Sequence, residues 1–199
     1  MRFKDLFLTQ EMRKHVSSCG KLFLGNELRI SNEGGNDVPN GIPGKLYIRN
    51  NWLIDDYYNN QEATKSHYVN GFLSVGDIAI RDEEGYYYIV DRKNDMVISG
   101  GVKVYSVEIE RVIKSHPNVK DVAVVGLPDD YWRERIIALV IPKKDKRTKD
   151  DEIIFFCKES LADYKCPKTV FFTDEIPRSP QGKTLKRGIR QEWAKKLSR

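Results

Sequence analysis

Cysteine is scarce in this sequence. Cys19, Cys157 and Cys166 are odd in number and widely separated, with no C-x-x-C pair. That argues against a disulfide framework or a zinc site and for a reducing, cytoplasmic setting. Histidine is as rare, and His15, His67 and His116 make no constellation, so none is assigned a role. Long apolar runs are missing too. Nothing approaches about 18 consecutive apolar residues, and Met1-Arg2-Phe3-Lys4-Asp5 leads into no such run. Neither a membrane span nor a signal peptide is expected.

What is present is an ordinary globular composition of 199 residues, 40% hydrophobic and 32% charged. That length suits one full domain or two small ones. A chain of this size buries roughly 70% of its unfolded surface and needs no covalent or metal staple. The net charge of +5 is unevenly spread, because from Arg178 to Arg199 eight basic residues face one acid, Glu192. A basic segment of this kind suits nucleic acid, a membrane surface or a polyphosphate, while a solvated helix face is the plainer reading. RNA binding would rest on this charge alone, and no nucleic-acid partner is assigned.

Residues 1 to about 19 are a mixed lead-in with weak periodicity. Strand-like runs follow at Leu22 to Ile30, Lys45 to Arg49, Phe72 to Val75, Ile78 to Arg81 and Tyr86 to Val90. Turn clusters separate them, among them Asp82-Glu83-Glu84-Gly85, which reads as a hairpin. After residue 95 helices enter the pattern. Ser106 is expected as an N-cap with Glu108 and Glu110 in the first turn, and Ile109, Val112 and Ile113 share a face until Pro117 ends the helix. Asp121 to Leu127 and Ile136 to Ile141 are β-branched runs suited to central strands. A helix is expected over about Asp150 to Leu161, a strand at Val170-Phe171-Phe172, and a last helix striped by Leu185, Ile189 and Trp193. The change falls on the polar knot Asp91-Arg92-Lys93-Asn94-Asp95. That knot is either a solvated hairpin turn or a joint between two domains.

Ser179-Pro180-Gln181-Gly182-Lys183-Thr184 ends in G-K-T, which raises a phosphate-binding P-loop. The pattern G-x-x-x-x-G-K-S/T needs glycine where Pro177 stands, and Pro180 sits inside the loop. Two prolines remove two backbone donors and fix φ, so a nest of N–H groups cannot form as usual. What remains is one lysine on a proline-stiffened, glycine-tipped loop before a basic helix. Rigid placement of one point charge suits phosphoryl or acyl-phosphate electrostatics.

Four segments in order resemble the adenylate-forming (AMP-binding) superfamily: acyl- and aryl-CoA synthetases, peptide-synthetase adenylation domains and firefly-type luciferases. Gly71-Phe72-Leu73-Ser74-Val75-Gly76-Asp77 is similar to the family's G-W/F-x-x-T-G-D. Gly85-Tyr86 through Asp91-Arg92 to Gly100-Gly101 and Glu108-Ile109-Glu110 resembles its hinge motif. Leu161 to Pro167 resembles L-x-x-Y-K-x-P, and Pro177 to Lys183 matches P-x-x-x-x-G-K. The resemblance implies an α+β chain with two parts. Residues 1–93 would be a small antiparallel, barrel-like β-rich end of the large adenylation domain. Residues 94–199 would be the small mobile C-terminal domain, a compact α+β unit with a central mixed three-stranded sheet and helices.

These enzymes activate a carboxylic acid with ATP to an acyl-adenylate, then pass the acyl group to a thiol, usually CoA. By resemblance, Asp77 and Arg92 meet the ribose of ATP or AMP and Lys183 meets the carboxylate and α-phosphate. Gly100 and Gly101 line the pantetheine channel, and Asn94 occupies the hinge, where Asp or Lys is more usual. Lys165, Lys186, Arg187 and Arg190 are candidates for CoA phosphates. Val75 stands where threonine is common, and Arg133 precedes Glu134 where glycine is usual. The family's Ser/Thr/Gly-rich phosphate loop, its Y-G-x-T-E segment, its acyl pocket and its Mg²⁺ ligand are not found in these residues. The chain is therefore expected to be the C-terminal portion of an acyl-CoA synthetase, inactive without the large domain and holding no metal itself. The alternatives are a non-catalytic binding or regulatory module, or one half of a two-chain ligase.

Overall fold

The computed structural model describes residues 14–15, 17–53, 59–146 and 148–197, so most of the lead-in lies outside the described residues. The chain forms two compact units divided between Lys93 and Asn94.

Unit 1 is an antiparallel sheet of β1 (Gly20–Lys21), β2 (Asn26–Ser31), β3 (Gly44–Asn50), β4 (Tyr68–Val69), β5 (Phe72–Arg81) and β6 (Tyr86–Arg92). One short helix, α1 (Gln61–His67), precedes β4. The strand order is β1-β6-β5-β3-β2, with β4 also on β5. Two sequence expectations shift here. The strand expected from Leu22 begins only at Asn26, because Gly25 turns the chain at φ 83 and the Asn26 N–H donates to the Phe23 carbonyl at 3.1 Å. Leu22, Phe23 and Leu24 are left exposed. Conversely, the two runs expected at 72–75 and 78–81 are one strand, which absorbs Gly76 at φ 77 and a register shift at Ile78/Ala79. The Asp82 hairpin forms as expected. The Asp82 carboxylate accepts the amides of Glu84 at 3.0 Å and Tyr86 at 2.8 Å, and this closes the turn.

Unit 2 opens with a hairpin of β7 (Val97–Ser99) and β8 (Val102–Val104). Helix α2 (Ser106–Ser115), strands β9 (Val119–Asp129) and β10 (Arg133–Pro142) and helix α3 (Asp150–Lys158) follow. Strand β11 (Thr169–Phe172) and helix α4 (Lys186–Leu197) complete it. The expected strands β9, β10 and β11 form a mixed sheet, β9–β10 antiparallel and β10–β11 parallel. The β7–β8 hairpin joins β10 through Ser99 opposite Arg133, so the sheet has five strands rather than three.

The alternation along β9 and β10 splits the core into two layers. Val122, Val124, Ile136, Ala138 and Val140 face α2 and α3 and pack with Ile109, Ile113, Ile153 and Cys157. Ala123, Val125, Leu127, Ile137 and Leu139 face the other way, against Ile176 and α4 residue Ile189. Each fully buried Val, Ile or Leu side chain contributes roughly 1.5–3 kcal/mol. Helix α2 ends at Ser115, two residues before Pro117, because the residue preceding proline is held extended. Its start corrects an expectation. Tyr105 holds the N-cap position, and Ser106 is the first helical residue. The buried Ser106 hydroxyl instead accepts the Lys186 ammonium at 2.7 Å.

Candidate active site

Asp77 and Arg92 face each other across β5 and β6 in register. Arg92 Nε lies 3.7 Å from Asp77 Oδ1, with Asp77 mostly shielded and Arg92 about half exposed. That separation is an ion pair and not a hydrogen bond, so the carboxylate and the guanidinium keep most of their bonding capacity for another group. The strand end is well held. Asp91 is 3% exposed, and its carboxylate accepts the Arg92 amide at 2.8 Å. The Lys93 N–H donates to the Gly76 carbonyl at 2.9 Å, beside Asp77.

Unit 2 begins at Asn94, which is exposed. Asparagine is suited to left-handed backbone, yet Asn94 does not adopt it, whereas Asn59 and Asn70 do, each at φ 51. The next residue is tied inward, because Arg190 of α4 reaches Asp95 at 3.5 Å. Gly100 and Gly101 form the two-residue turn between β7 and β8, at φ 58 and φ 80. Positive φ at both positions is what a tight hairpin of this twist needs, and glycine supplies it without a steric penalty. The Gly100 N–H donates to the Trp132 carbonyl at 2.8 Å, and a Cβ on Gly100 would touch the indole at 3.4 Å.

Lys183 is exposed on the loop between β11 and α4. The loop closes on itself through an Arg178–Thr184 bridge, Ser179 N–H to Lys183 O at 2.8 Å and Gly182 N–H to Ser179 O at 2.8 Å. Gly182 sits at φ 81 at its tip. The Arg178 Nη1 donates to the Gly182 carbonyl at 2.7 Å. A hairpin closed in this way turns its backbone donors inward, unlike a P-loop.

Three of the four basic residues considered for CoA phosphates are engaged inside unit 2. Lys165 grips both oxygens of Glu108, at 2.7 and 2.8 Å. Lys186 is 6% exposed and pairs with Glu110 at 2.7 Å. Arg190 holds Asp95. These pairings give all three a partner within unit 2. Sequence reasoning also missed three contacts. Trp132 supports the glycine turn and lies under Lys168, whose ammonium is 4.7 Å from the ring. Arg178 braces the Lys183 loop. His15 stacks on Tyr86 at 3.7 Å and bonds the Tyr88 hydroxyl at 2.6 Å, a structural contact in unit 1. None of these carries a local sequence signal, apart from Arg178 directly following the motif proline Pro177.

Among the described residues no group of three His, Cys, Asp or Glu is placed together to hold a metal ion. The two buried thiols are poor nucleophiles. Burial, with Cys166 close by, pushes Cys157 up to about 12, and burial raises Cys166 as well. No helix among the described residues is long and apolar enough to cross a membrane.

Residues 108–183 match the family described as AMP-binding enzyme C-terminal domain. A long-chain-fatty-acid–CoA ligase of Mycobacterium tuberculosis is 38% identical over 189 residues, 95% of this chain and 37% of that protein. ATP-bound MatB from Rhodopseudomonas palustris superposes with a TM-score of 0.86 at 32% identity, covering 89% of this chain and 36% of that one. The o-succinylbenzoate CoA synthetase of Bacillus subtilis, in complex with its acyl-adenylate intermediate, gives a TM-score of 0.83 at 31% identity, covering 92% of this chain and 37% of that one. The chain thus spans little more than a third of the length of the curated relatives it matches.

Proposed function

We propose that the chain belongs to the adenylate-forming (AMP-binding) enzymes and is the C-terminal portion of an ATP-dependent, AMP-forming acyl-CoA synthetase, a reading supported by the match of residues 108–183 to the AMP-binding enzyme C-terminal domain. Unit 1 is read as the end of the large adenylation domain and unit 2 as the small domain that moves about Asn94. The substrates are a carboxylic acid, ATP and CoA, and the large domain supplies the acyl pocket, the phosphate loop and the Mg²⁺ ligand. The three free thiols fit a reducing cytoplasm.

Asp77 would accept hydrogen bonds from ribose hydroxyls, since an ionised carboxylate is a strong acceptor. Arg92 steadies the same carboxylate and offers donors beside it. Lys183 brings a positive charge to the oxygens where negative charge grows as the carboxylate attacks the α-phosphate. Gly100 and Gly101 give the pantetheine arm a backbone surface without side chains during thioester formation. The observation that carries this reading is the pairing of Asp77 with Arg92 across β5 and β6, the last two strands of unit 1, in a chain that also presents Lys183 on a braced loop.

The test supplies the chain with a large adenylation domain and measures the two half-reactions separately. Lys183→Ala should lower acyl-adenylate formation about 10²–10³-fold. Thioester formation from preformed adenylate should be largely spared. Equal loss in both half-reactions would remove the role given to Lys183.

A further inference from the structure

The loop bearing Lys183 belongs to no helix or named strand, so something else must hold the ammonium in place. Its internal hydrogen bonds shape the loop but do not attach it to the rest of unit 2. Arg178 makes that attachment. Its Nη1 holds the Gly182 carbonyl at 2.7 Å, on the peptide that leads into Lys183. Its Nη2 holds Asp121 Oδ2 at 2.6 Å, on β9. Asp121 is gripped from its other oxygen by Lys114 of α2, at 2.6 Å.

We propose that Arg178 is a positioning residue for adenylate formation: its guanidinium clamps the Lys183 loop onto β9 through Asp121 and so sets where the Lys183 ammonium is presented. This rests on the reading of Lys183 given above. The chemistry suits arginine specifically. Its planar fork offers separate N–H groups in fixed directions, so one side chain can bridge a carbonyl and a carboxylate, whereas lysine is a point charge on a flexible stem. Burial pushes the Asp121 carboxyl up, but hydrogen bonds from Lys114, Arg178 and the Val122 amide outweigh it, and the group stays below its ordinary range. The clamp is therefore charge-assisted at neutral pH. The far end of the loop is secured separately. Lys186, three residues after Lys183, is buried against Ser106 and Glu110. Among the described residues it is Arg178 that ties the tip to β9.

Arg178 is about 39% exposed, so its substitution should not unfold the chain. Hydrogen exchange on the full chain tests the clamp directly. In Arg178→Gln the amides of Ser179, Gly182 and Lys183 should exchange about ten-fold faster or more, as expected for a loop released to open locally. Amides of the β9–β10 ladder should keep their rates, and Arg178→Lys should fall in between. With a large adenylation domain supplied, Arg178→Gln should lower kcat for adenylate formation about ten-fold with KM for ATP unchanged, because the loss is one of placement. Asp121→Asn should do the same, and the double variant should be no worse than either single. Unchanged loop exchange, a change confined to KM, or a double variant showing the product of both single losses overturns the clamp. If Lys183→Ala leaves adenylation intact, the reading of Lys183 falls while the exchange result stands. If Lys183→Ala abolishes adenylation and Arg178→Gln alters neither readout, only the clamp falls.

Discussion

The two units solve the burial problem differently. Unit 2 covers both faces of its sheet. The side of β9 and β10 bearing Val122, Val124, Ile136, Ala138 and Val140 lies under α2 and α3, and the opposite side lies under α4. Among its described residues unit 1 has a smaller cluster, Ile30, Leu46, Ala79 and Tyr87, and leaves Phe23, Leu24 and Trp52 more than 70% exposed. Unit 2 thus draws its stability from close-packed burial. Unit 1 relies more on strand pairing, and it also carries exposed ion pairs such as Arg49–Glu27 and Arg29–Asp37. Exposed pairs contribute little, since solvent screens them. The residues expected to contact nucleotide therefore sit on the less densely packed unit, and the lysine expected to assist the chemistry is braced against the better-packed one.

The sharpest way to break this comparison is to empty one position in each core. Ile113→Ala should cost about 4 kcal/mol in unit 2, and Leu46→Ala nearer 2 kcal/mol in unit 1, since the second site loses less packing. Urea unfolding followed by probes in each unit would measure both, and equal losses would refute the contrast. A second comparison sets a buried ion pair against an exposed one. Lys186→Ala leaves Glu110 without its cation and should cost about 3 kcal/mol. Arg49→Ala in unit 1 should barely move the midpoint. The smallest effect concerns backbone. Arg133 stands at φ 66, and a side chain in that region is strained. Arg133→Gly should stabilise unit 2 by about 1 kcal/mol, while Asn70→Gly in unit 1 should gain less, because asparagine tolerates that region better. Thermal melts of the two single variants would rank them.

Much of the candidate site is a reading of residues near one another in sequence. Asp77, Arg92, Gly100, Gly101 and Lys183 all stand in short motifs, and the β-branched runs of β9 and β10 pointed to central strands. The hairpin turns at Asp82 to Gly85 and at Gly100-Gly101 follow from local backbone preference. What was missed depends on distant partners. Ser106 is an apt N-cap by its neighbours, yet its hydroxyl is taken by Lys186, 80 residues away. Lys165, a candidate for phosphate, is committed to Glu108, 57 residues away. Arg178 and Asp121, also 57 apart, carry no pattern that links them.

The sequence by itself determined the order of the motifs, the periodicities of the strands and helices, and the glycines that permit the tight turns. These depend on φ/ψ preference and on side chains a few residues apart. Only the tertiary structure decided that Asp77 and Arg92 face each other in register, that α4 holds Asp95 just past the joint, and that Arg178 braces the loop of Lys183. A charge has no local preference for its partner. Its pairing is settled only when packing of the apolar layers brings remote segments within a few ångströms.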